Sequence, residues 1–120
     1  MGLAYLDFDF SGDAHGHGSF DAMASATPAQ LPALQAEVLA VLDWAERQFG
    51  PAAPLEEGGT WDYALHGVRE VATPLDVRYV PGAARLDFEP GDPDPPRVTL
   101  TLTLTGTEDF CSALREAFGD

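Results

Sequence analysis

At 120 residues the chain fits one domain, 1–120, able to bury roughly two-thirds of the surface that its unfolded form would expose. Twenty Asp and Glu against six Arg give a formal charge of -14, which repels phosphate backbones and anionic lipid and favours a basic protein as partner over nucleic acid or membrane. The single Cys111 excludes an internal disulfide, no apolar run approaches the ~20 residues of a membrane helix, and with no charged-then-apolar leader the expected location is cytoplasmic.

Lys, Asn and Ile, all encoded by AT-rich triplets, are missing, as expected of a GC-rich, bacterial-type genome. From Leu6 to Ala24 the chain alternates with period two: Asp7, Asp9, Ser11, Asp13, His15, His17, Ser19 and Asp21 on one side, and Leu6, Phe8, Phe10, Phe20, Ala22 and Ala24 on the other. As a single strand this run would span roughly 60 Å, so Gly12, Gly16 and Gly18 are read as the place where it folds back into a hairpin. Pairing Phe10 with Phe20 and Phe8 with Ala22 keeps both apolar sets on one face, with His15 at the tip.

Thr27, Pro28 and Gln30 read as a helix start with a capping box. Leu31, Leu34, Val38, Val41, Leu42, Ala45 and Phe49 supply the apolar stripe, and Gly50-Pro51 ends it. Trp61, Tyr63 and Leu65, then Leu75, Val77 and Tyr79, then Leu86 and Phe88 mark three alternating strands, expected as a meander with Trp61 and Tyr63 in the core. A proline-rich loop from Pro90 to Pro96 leads into Val98, Leu100, Leu102 and Leu104 interleaved with threonines. Thr107 caps a closing helix whose stripe is Phe110, Leu114 and Phe118, with Cys111 read as a core thiol.

These elements predict an α+β two-layer sandwich: a mostly antiparallel sheet opened by an N-terminal hairpin, order ββαββββα, with both helices on one face. The opposite face would be open to water and carry Asp7, Asp9, Asp21, Asp62, His66, Asp76, Arg78, Asp87 and the threonine row. Val98 to Thr105 is uncharged and strand-prone, so it must be either a central strand or an edge that pairs with a second copy as a homodimer.

Asp13, His15, His17 and Asp21 have the residue types of a divalent-metal site, with His66 a further candidate if the sheet brings it close. No cofactor is implied apart from that metal. In the expected register Asp9 faces Asp21, an unfavourable like-charge pair that calls for a cation nearby, and Arg78 or Arg85 is the expected source. Carboxylates on a solvated face behave as ordinary acids, and the glycine-rich tip lacks the lysine and helix of a phosphate-binding loop. The expectation is therefore a non-enzymatic binding module that docks a basic protein through an open acidic sheet face. Asp7, Asp9, Asp21, Trp44 and Asp76 are its contact residues. The alternative is a metal-binding or metal-dependent protein built on the hairpin tip.

Overall fold

The computed structural model describes residues 3–13 and 16–119. Its strands are β1 (Asp9–Gly12), β2 (Gly18–Ala26), β3 (Trp61–Glu70), β4 (Leu75–Val80), β5 (Arg85–Pro90) and β6 (Arg97–Gly106). Two helices, α1 (Leu31–Phe49) and α2 (Glu108–Phe118), complete the expected order ββαββββα. Every strand pairing is antiparallel, and the fold is α+β.

The first hairpin has the register that its alternation demands, with Phe10 opposite Phe20 and Asp9 opposite Asp21. The threonine-rich strand β6 lies between β2 and β3 in a four-stranded sheet ordered β1-β2-β6-β3. Both of its edges are occupied from Val98 to Gly106, so the homodimer expected through Val98 to Thr105 is corrected: this strand has no free edge to offer.

The expected meander is also corrected. β3 pairs with β6, not with β4, and β4 pairs only with β5. Between the two ladders the amide of Gly91 donates to Pro74 O (2.9 Å) and that of Asp94 to Ala72 O (2.8 Å). Residues 61–106 therefore form one long hairpin, interrupted where Pro74, Pro90, Pro93, Pro95 and Pro96 withhold ladder donors. Twenty residues from Trp61 to Val80 at ~3.3 Å each reach roughly 66 Å, which accounts for the 69 × 31 × 26 Å extent of the molecule. At the far end Pro81 and Gly82 make a type II turn, with Ala83 N donating to Val80 O at 3.3 Å and Gly82 at φ 82°.

Packing is confined to the other end. Alanines at 22, 24 and 26 make the inner side of β2 shallow, and Leu34, Val38, Val41 and Ala45 of α1 join them in the core. Phe110, Cys111 and Leu114 of α2 complete that core with Leu102, Leu104 and Trp61. Trp61 stacks on Phe110 (5.8 Å between centroids) and donates through Nε1 to Gly50 O at 2.8 Å. Gly106 is required by close approach, because a Cβ there would overlap the Phe110 ring.

The helix termini differ from each other. Thr107 caps α2 as expected, its hydroxyl accepting from Phe110 N at 3.4 Å. The side chain of Gln30 accepts from Thr27 N (3.1 Å) as a capping box requires, but residues 27–30 close a turn of their own and α1 begins at Leu31. Ahead of the sheet, Glu37 of α1 accepts from the amides of Ala4 (2.8 Å), Tyr5 (3.0 Å) and Leu6 (3.1 Å), tying the N-terminal segment down so that Leu6 is buried.

Candidate functional site

Odd positions of β1 and β2 point away from the helices, and the hairpin register brings the acids of the two strands together. Asp7, Asp9 and Asp21 line one open concavity of about 390 Å³ with Ala22, Met23 and Thr101. Asp21 accepts from Thr103 Oγ1 at 2.7 Å, a bond supplied by the neighbouring β6, and Met23 stands 68 % exposed beside the acids.

The expected neutralising arginine is not there. Arg85 bonds Asp87 at 3.0 Å and Arg78 lies opposite Asp87, both on the β4-β5 ribbon. Among the described residues no arginine forms an ion pair with Asp9 or Asp21.

Two further candidate contact residues lie outside this concavity. Trp44 packs edge-on against Phe118 (5.5 Å) and Phe49 (6.0 Å) and lies 6.1 Å from Phe110, so it belongs to the margin of the core. Asp76 lies opposite Glu89 on the distant ribbon, apart from the acidic concavity. The expectation that Tyr63 is core is corrected as well: it is 46 % exposed, because neither helix extends over that part of β3.

At the hairpin tip, Asp13 and His17 are brought together as expected. The Asp13 amide donates to His17 O (2.9 Å), the His17 amide donates to Asp13 Oδ1 (3.0 Å), and His17 Nδ1 stands 4.0 Å from Asp13 Oδ2. His15 lies outside the described residues. Asp21 is four residues along β2 from His17, roughly 13 Å, and His66 sits opposite Thr101, roughly 20 Å from the tip. Neither can share a coordination sphere with bonds of about 2 Å centred on His17, and among the described residues no three His, Cys, Asp or Glu side chains gather in a metal-binding group.

Cys111 is buried as expected and its thiol lies 3.6 Å from Gly106 O, to which it donates. Burial pushes its pKa up, against the lowering influence of Arg115. A thiol held neutral in this way is a poor nucleophile. No helix among the described residues is long and apolar enough to cross a membrane.

Some of the site was missed in the sequence. Met23 has the phase of the acids, so its position beside Asp21 was available from the alternation. The Thr103 bond depended on β6 pairing with β2, which no local pattern specifies. Comparison with protein-family models, curated proteins and solved structures returns no match to this chain.

Proposed function

We propose that the protein is a non-enzymatic binding module that docks a basic protein through the face carrying Asp7, Asp9 and Asp21. One observation carries this reading: Asp9 and Asp21 stand directly opposite each other with no arginine paired to either among the described residues. Like charges in that relation disfavour the sheet, and a cationic side chain from a partner would relieve them on docking. The overall charge of -14 supports the same reading, since it would steer a basic partner at rates that fall with added salt. Met23, which lines the same concavity, adds an adaptable apolar contact.

The test is affinity capture with the wild type and with an Asp9→Arg, Asp21→Arg double variant. Basic proteins retained by the wild type, released by salt and lost in the variant are the expected result. Retention of the same proteins by the variant would overturn the reading.

A further inference from the structure

We propose that the apolar face of the long hairpin 61–106 is the interface through which two copies of this chain associate. In the β4-β5 ribbon the register gathers Leu75, Val77, Tyr79, Leu86, Phe88 and Pro90 on one side and Asp76, Arg78, Val80, Arg85, Asp87 and Glu89 on the other. The first side is uncovered, with Tyr79 70 % and Phe88 62 % exposed. Nearer the body, Tyr63 and Leu65 of β3, opposite Leu104 and Leu102, are exposed too. A two-stranded ribbon with one bare apolar side is marginal in water and calls for a cover.

Area and charge both fit a second copy. At roughly 100 Å² for each half-exposed large side chain, Tyr63, Leu65 and the five large apolar residues of the ribbon present about 700 Å² per copy, close to the per-partner area of a stable interface. Four of the six arginines, Arg69, Arg78, Arg85 and Arg97, lie on the hairpin among seven acids, whereas the rest of the chain sets Arg47 and Arg115 against thirteen. Two bodies so acidic repel each other. The hairpin is the part of the chain where charge is nearest balance, so a second copy meets least repulsion there, and a basic partner is drawn to the body instead. A two-fold axis lets the same face serve both copies, packed as sheet on sheet.

The experiment is sedimentation equilibrium of the full chain from about 1 to 100 µM, the range in which associations of ordinary strength are resolved. The wild type is expected at twice its 12.8 kDa chain mass. A Tyr79→Thr, Phe88→Thr variant is expected to dissociate with an affinity loss of about 100-fold or more, as for paired aromatic anchors. Val77→Thr with Leu86→Thr should repeat that loss, whereas Asp76→Ser on the polar side should leave the mass unchanged. Unaltered Trp44 and Trp61 emission in each variant shows that the body remains folded. A wild type that stays at 12.8 kDa assigns the ribbon to a different partner and overturns the proposal. A dimer unaffected by both threonine pairs places the interface elsewhere and overturns it equally.

Discussion

Leu100, Leu102 and Leu104 of β6 and Leu75, Val77 and Tyr79 of β4 repeat with the same period, yet Leu102 and Leu104 are fully buried while the β4 residues stand half exposed or more. Alternation fixes which side of a strand is apolar; whether that side is dry depends on what else the chain can lay over it. At 1.5 Å per residue α1 measures roughly 28 Å and α2 roughly 17 Å, against roughly 66 Å for the hairpin. The helices cover the end of the sheet next to the first hairpin, and the far end is left bare.

The contrast between body and hairpin can be tested by substitution. Trp61→Ala should cost most, about 3–5 kcal/mol of unfolding free energy in urea, because it empties a stacked core position and strips Gly50 O of its donor. Gly106→Ala should cost about 1–3 kcal/mol by forcing the Phe110 ring aside, read from the same denaturation midpoint. Glu37→Gln replaces a charged acceptor of three amides by a neutral one and should cost about 1–2 kcal/mol, with faster hydrogen exchange at Ala4, Tyr5 and Leu6 as its local signature.

Cys111 adds a pH signature to the body. A folded pKa above the unfolded value means that its contribution is fully present below the unfolded value and is lost as pH rises through the folded one. Thermal melts should therefore fall on the alkaline side in the wild type, and Cys111→Ala should flatten that slope. On the hairpin, Phe88→Ala should change the stability of the dilute protein by less than about 0.5 kcal/mol, despite removing as large a ring as a core phenylalanine. Ala84→Gly, at the single non-glycine with positive φ among the described residues (52°), should do least. Relief of the left-handed backbone and the added freedom of the unfolded chain, each on the order of 1 kcal/mol, nearly cancel in a melting curve.

The first hairpin was legible because everything that sets its register is local: the glycines at the turn, and Phe10 and Phe20 in phase. Asp9 opposite Asp21 followed from that register, so the centre of the candidate site could be read in advance. The neighbours of β6 could not, since β2 and β3 are remote in sequence and all three strands share one periodicity. Arg78 and Arg85 were misplaced for the same reason, because a meander would have folded their strands back onto the sheet. Trp44 sits at the margin of a helical stripe, where only the arrival of α2 with Phe110 and Phe118 decides between surface and core.

The central place of β6 also orders events in time. β2 is synthesised early, but its long partner, which runs from Val98 opposite Ala26 to Gly106 opposite Gly18, follows only after β3, β4 and β5 have been made. Until then Phe20, Ala22 and Ala24 have α1 and the first hairpin to lean on but no strand on their other edge. Pairings between such distant segments slow folding, because the entropy of closing a long loop is lost before the contacts repay it. Assembly of the body is thus governed by β6, the last of its strands to be made.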